Sequence, residues 1–188
     1  MKDLNVYINE NTYIHENTCI NEKLTIVHNH YSCTPQTKVE LRKIIEERLA
    51  DDPDADLNDI DVSNITDMSN LFFALDPHNI DISKWDVSNV QHMLSMFWGC
   101  KNFNSDLSGW DVSNVENMGC MFWGCEKFNS DISHWNVSNV KDMYYMFIDC
   151  ENFNADLSGW DVSNVEDMRN MFNYCNSMKE LPKWYNEN

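Results

Sequence analysis

The chain has 188 residues, 43% hydrophobic and 12% aromatic, with 13 basic against 31 acidic side chains and a formal charge of −18. Its length and apolar content suit one folded domain or one capped repeat array, and exclude a disordered acidic tail. The charge excludes unaided binding to nucleic-acid backbones, and no apolar run reaches the ~18–20 residues of a membrane helix.

The first residues, MKDLNVYINEN, hold no apolar signal core, so the sequence predicts a cytoplasmic protein. A processed fragment that has lost its export signal would belong to the cell surface instead. Ile8, Ile14, Ile20 and Ile26 recur every six residues among Asn and Glu, which predicts a β-rich segment over 1–33. A helix follows over 37–50. Thr37 and Glu40 form a capping box, Leu41, Ile44, Ile45 and Leu49 share one face, and Asp51, Asp52 and Pro53 stop it. This helix is a candidate cover for the apolar end of what comes next.

From Ile60 one unit recurs without insertion. It reads WDVSNVQHMLSMFWGCKNFNSDLSG from Trp85 and WDVSNVENMGCMFWGCEKFNSDISH from Trp110. Trp85, Trp110, Trp135 and Trp160 fall 25 apart, and so do Phe97, Phe122, Phe147 and Phe172. A fixed period of this size marks a solenoid whose repeats are single supersecondary units. Within a unit, Val115, Met118, Met121, Phe122 and Cys125 follow a helical period after an N-capping Ser113, so Ser113–Cys125 reads as a short helix. SDLSGW reads as a short strand. Strands stack ~4.8 Å apart and helices ~8–10 Å, so the array should curve with the strands inside. The expectation is an α/β fold: a curved, right-handed, leucine-rich-repeat-like solenoid with a β-rich N-terminal cap and a capping helix. Its parts are an N-terminal cap over 1–55, the solenoid over 56–178 and a C-terminal cap over 179–188.

Recurrent columns separate architecture from chemistry. Asp81, Asp106, Asp131 and Asp156 form one aspartate column; Asp61, Asp86, Asp111 and Asp161 form another, with Asn136 in the remaining turn. Such carboxylates could form a calcium ladder, but Asn136 keeps the acceptor and drops the charge, which suits a turn that accepts a backbone N–H. Asn89, Asn114, Asn139 and Asn164 are read as a structural amide ladder, with Trp85, Trp110, Trp135, Trp160 and the phenylalanine column as core ladders. Of seven cysteines, Cys100, Cys125, Cys150 and Cys175 share one position and read as small buried side chains. The histidines recur nowhere. No phosphate loop, nucleophile elbow, metal motif or catalytic triad is visible, so neither a cofactor nor an enzymatic activity is expected.

The pattern WDVSNVxxMxxMFxxCxxFNxDLSxW resembles the repeat of the BspA-type leucine-rich repeat proteins, also known as the Mycoplasma lipoprotein-type or DUF285 repeat. The likeness covers about 56–178. It implies a repeat scaffold of a kind found in bacteria, mobile elements and some large viruses, where many members are surface proteins that bind host or partner proteins.

Beside the core face lie Trp98 and Trp123. They either pack sideways between adjacent units or anchor a partner, since Trp and Tyr dominate interface hot spots. The expected partner-binding residues are Trp98, Trp123, Tyr144 and Tyr145, with Asp106, Glu116, Glu126 and Asp131 steering the encounter. The predicted function is a non-enzymatic scaffold, monomeric when free, that binds another protein with a basic surface, without direct nucleic-acid or membrane contact. The charge also supports an acidic, virus- or mobile-element-encoded inhibitor of a nucleic-acid-binding protein, of an anti-defence or anti-CRISPR-like kind. A cell-surface adhesion module is the third reading.

Overall fold

The computed structural model describes residues 32–186. Except for Ser32 and Cys33, the β-rich segment expected over 1–33 lies outside the described residues, as do positions 187 and 188. Lys38–Asp51 forms α1, the one helix among the described residues. Thr37 Oγ1 accepts the Glu40 N–H at 3.2 Å. The Glu40 carboxylate reaches back to the Gln36 N–H at 2.7 Å, so the capping box closes one residue ahead of the cap itself. Leu41 and Ile45 are fully buried against the first repeat. On the same helix, Arg42 donates to the carbonyls of Asn70, Leu71 and Phe73 at 2.8–3.2 Å.

After α1 the chain forms 25-residue coils that lie parallel and in register. Isolated parallel bridges join Asp67 to His92, His92 to Asn117, Asn117 to Asp142, and Asp142 to Asp167. Beside them runs a ladder of N–H groups that point to the following coil, flanked by bonds in the opposite direction, from Glu116 N–H to Gln91 O and from Lys127 N–H to Lys101 O. The N–H groups of Met118, Cys120, Phe122 and Gly124 donate to the carbonyls of Asp142, Tyr144, Met146 and Ile148 in the following coil, all at 2.8–2.9 Å. Met93, Ser95, Phe97 and Gly99 do the same one coil earlier, and Met143, Tyr145, Phe147 and Asp149 one coil later.

The local elements differ from the sequence reading. Ser113–Cys125 is a chain of tight turns, not a helix. Met121 N–H bonds to Met118 O, Trp123 to Cys120, Cys125 to Phe122 and Phe128 to Cys125, each spanning three residues. Consecutive turns put residues i and i+3 on one side just as a helix does, which is why the apolar spacing misleads. Left-handed residues interrupt any helix at two points in each coil. Ser95, Cys120, Tyr145 and Asn170 have φ of 52–56°, and four residues on Gly99, Gly124, Asp149 and Tyr174 have φ of 60–78°. SDLSGW is likewise a turn, closed from Trp110 N–H to Leu107 O, and the backbone ladder runs along the opposite segment.

Side chains bind the coils where the ladder does not. Trp110 Nε1 donates to Ile82 O, Trp135 to Leu107 O and Trp160 to Ile132 O, each at 3.1 Å. The thiols of Cys125 and Cys150 donate to Phe97 O and Phe122 O at 3.0 Å. Burial pushes the Cys100 thiol up to about 12 and holds Cys125 and Cys150 well above their ordinary value. The phenylalanine column stacks at 5.6 Å between Phe97, Phe122 and Phe147, and a second buried column, Phe103, Phe128 and Phe153, lies against it. The tryptophan column continues past the last repeat. Trp184 stacks on Trp160 at 6.4 Å and donates to Leu157 O, and Tyr185 meets Phe172 edge-on.

Two outcomes follow from this packing. Deleting 111–135 joins equivalent positions, so the shortened chain should keep a cooperative thermal transition and a spectrum of the same shape by circular dichroism; complete unfolding would contradict a stack of interchangeable coils. Trp110→Ala should cost about 3–5 kcal/mol in chemical denaturation. Trp110→Phe, which keeps much of the ring but orphans Ile82 O, should cost about 1–3 kcal/mol.

Candidate partner-binding surface

The side chains that follow the buried phenylalanines cannot enter the core, because the turn geometry aims them beside it. Trp98 and Trp123 therefore stack on one another at the surface, rings 4.8 Å apart and 11° from parallel, each half-buried. Phe73 tilts onto Trp98 at 5.3 Å, and Tyr145 onto Trp123 at 5.5 Å. Tyr144 meets Tyr145 edge to face and covers Gly119. A Cβ at Gly119 would lie 2.7 Å from the Tyr144 ring, so glycine is what lets the tyrosine lie down there. Four of the expected partner-binding residues thus form one aromatic face. Phe73, 42% exposed, belongs to it and was missed, although it stands 25 residues before Trp98 in the degraded first copy.

The polar rim of this face is acidic and ordered. Trp123 Nε1 donates to Asp149 Oδ2 at 3.3 Å, and Asn117 Nδ2 to Asp142 Oδ2 at 3.3 Å. Glu116 pairs with Lys141 at 2.6 Å, and Glu126 with Lys101 at 2.8 Å. Two of the four expected steering carboxylates are therefore already neutralised by a lysine of a neighbouring coil.

Asp106 and Asp131 sit elsewhere in the coil, exposed on the turn before the core tryptophan. Asp106 Oδ1 accepts the Ser108 N–H at 2.9 Å, and Asp131 the Ser133 N–H at 3.0 Å. The parallel column repeats the device: Asp86, Asp111 and Asp161 accept the N–H two residues on, and Asn136 does the same at 3.2 Å. The serine hydroxyl and N–H hold Asp106, Asp111, Asp131 and Asp161 below the usual carboxylate range. Neighbouring Asp81 and Asp131 push Asp106 back up, which marks the column as a line of like charges. Asn89, Asn114, Asn139 and Asn164 each donate to a serine carbonyl 26 residues earlier, at 2.7–3.0 Å. Among the described residues no group of three His, Cys, Asp or Glu side chains is arranged to hold a metal ion, and no helix is long and apolar enough to cross a membrane.

The turn carboxylates set a pH dependence. Their folded pKa lies below the unfolded one, so the stability they add is full above the unfolded value of about 3.8 and is lost as pH falls below it through the folded values. A variant carrying Asp106→Asn, Asp111→Asn and Asp131→Asn keeps the acceptors and removes the titration. Wild type should melt higher than this variant at pH 6, and the gap should shrink toward pH 2.5. A gap that is constant across that range would refute the turn role of the charges.

The chain matches one family model, described as the Mycoplasma protein of unknown function, DUF285, over residues 41–143 and again over 110–188. The two matches together span most of the chain, which therefore belongs to this family. No curated protein and no solved structure matches it.

Proposed function

We propose that this member of the DUF285 repeat family is a non-enzymatic scaffold that binds another protein through the aromatic face at Phe73, Trp98, Trp123, Tyr144 and Tyr145. The observation that carries the reading is the stacked pair Trp98 and Trp123. Two indoles left half-exposed on a surface with fixed geometry offer a partner large apolar contact at little entropic cost, because their neighbours have already ordered them. The parallel, in-register 25-residue coils support the leucine-rich-repeat-like solenoid expected from the sequence period.

A second reading is favoured by the two aspartate columns. In the first column Asp81, Asp106, Asp131 and Asp156 are exposed, held below the usual carboxylate range by their turn serines and repeated once per coil, and the chain carries −18. Such lines of charge would draw a protein with a basic, nucleic-acid-binding groove and raise its association rate. In that reading the protein is an acidic inhibitor, with the aromatic face slowing release.

Affinity capture from the source cell identifies the partner, and kinetics then separate the readings. Trp123→Ala should speed dissociation by about thirtyfold, the equivalent of ~2 kcal/mol for a hot-spot aromatic. Asp106→Asn with Asp131→Asn should slow association and flatten its dependence on salt, while Glu116→Gln, already paired to Lys141, should change it less. If Trp123→Ala lowers affinity only as far as it lowers the folded fraction, the aromatic face is structural. If association ignores salt, the inhibitor reading fails and the scaffold reading stands.

A further inference from the structure

The column that follows the surface indoles is nearly bare. It holds Gly99, Gly124 and then Asp149, all in left-handed backbone with φ of 60–78°. Beyond its chain neighbours, a Cβ at Gly99 would meet nothing within 4 Å, and one at Gly124 would meet only the backbone of Gly99. The two glycines therefore floor an open strip beside the stack of Trp98 and Trp123. The backbone alone does not demand glycine here, because Asp149 and Tyr174 take up the same conformation in the same column.

Two polar groups face this strip. Asp149 Oδ2 accepts Trp123 Nε1–H at 3.3 Å, so the carboxylate lies against the indole edge of the coil before it. For Trp98 the equivalent position is Gly124, which has no side chain, and among the described residues Trp98 Nε1 meets no acceptor. One indole thus offers a free N–H and its neighbour holds a carboxylate. Two residues past the strip runs the column Asp76, Lys101, Glu126 and Glu151. Lys101 is paired with Glu126 at 2.8 Å. Asp76, Asp149 and Glu151 meet no lysine or arginine among the described residues.

We propose that the strip over Gly99 and Gly124 receives an arginine side chain of the partner protein, with its guanidinium on Asp149. The inference deepens the proposed function and rests on it, since it names what the aromatic face recognises. Trp98 is sandwiched between Phe73 and Trp123, and Trp123 between Trp98 and Tyr145. The indoles therefore turn edges to the strip, and no open π face is left for a sugar ring or a cation to stack on. Their edges give apolar contact to a methylene stem, and the glycines give it room to lie along the backbone. A guanidinium suits the head better than an ammonium, because it is more weakly hydrated and carries enough planar N–H donors for Asp149 and a second carboxylate. The peptide carbonyl of the same segment supplies the acceptor that Trp98 Nε1 lacks. Charge complementarity selects this occupant: the uncompensated carboxylates Asp76, Asp149 and Glu151 repel an acidic segment, and a neutral one leaves Asp149 without a counter-charge.

The test uses the full chain and the probe acetyl-Gly-Arg-Gly-amide, followed by nuclear magnetic resonance through the indole N–H signals of Trp98 and Trp123. Trp98→Phe and Trp123→Phe assign the two signals. Both should move on titration and saturate, while acetyl-Gly-Gln-Gly-amide, which has amide donors without the charge, should move neither. Asp149→Asn keeps an acceptor for Trp123 Nε1 and removes the charge, and should weaken the arginine probe about fivefold. Three results would overturn the proposal. They are equal shifts with the glutamine probe, an unchanged affinity in Asp149→Asn, or shifts at the Asp106 and Asp131 turns as large as those at the indoles, the response of a −18 chain to any cation. The comparison of probes needs only the wild-type chain, so a misfolded Asp149→Asn cannot hide the answer. The two readings also fail separately. If Trp123→Ala speeds release of the captured partner and Asp149→Asn does not, the aromatic face stands and the arginine site falls. If Trp123→Ala leaves that release unchanged while the probe still binds through Asp149, the arginine site stands and the aromatic face is not where this partner is held.

Discussion

Each coil leaves backbone groups that only the next coil can satisfy. A chain of three-residue turns closes about every other N–H on itself and points the rest along the stack, so a lone coil would strand four donors in its apolar side. This requirement makes the fold cooperative and explains its other features. Parallel register is imposed because the donors meet carbonyls 24 residues on. Insertion is excluded because one extra residue would displace every later match. The ends demand special treatment, which α1 provides on one side and Trp184 with Tyr185 provides in part on the other.

The side chains assist this backbone arrangement in a division of labour. Where the ladder runs, phenylalanines and methionines fill the core beneath it. Where it does not run, indole nitrogens and amides reach into the preceding coil for a carbonyl. The column aspartates Asp106, Asp111 and Asp131 tie their own turns and are left charged on the outside. The same residues therefore shape the turn and electrify the surface, and the aromatic face arises because a position just beside the core recurs at a spacing that rings can bridge.

How much of this was legible in the sequence depended on whether spacing alone decides it. The core columns at Trp110 and Phe122 were readable because identical residues at one period must lie above one another. The spacing over Ser113–Cys125 reads as a helix because a three-residue turn and a helix place the same residues on the same side. The residues that break the helix give little sign: Ser95, Cys120, Tyr145 and Asn170 adopt left-handed backbone without being glycine, and only Gly99 and Gly124 hint at it. The extension of the tryptophan column to Trp184 was hidden because it falls 24 residues after Trp160 and amid unrelated neighbours. The pairing of Glu116 and Glu126 with lysines of adjacent coils was invisible without the stacking order, though both lysines lie 25 residues away. The α1 boundary, by contrast, was within one residue, because the cap and the stop are local signals.

The thiol column has a consequence for how the stack comes apart. Cys100, Cys125 and Cys150 are wholly enclosed, each sealed by coils on both sides, while Cys175 near the end is 8% exposed. A thiol-modifying reagent can reach an inner sulfur only while adjacent coils are parted, and the raised pKa keeps it a poor nucleophile until then. The four cysteines are thus a built-in recorder. The order in which they are consumed would report whether the array frays from its last coil, peels from α1, or opens all at once.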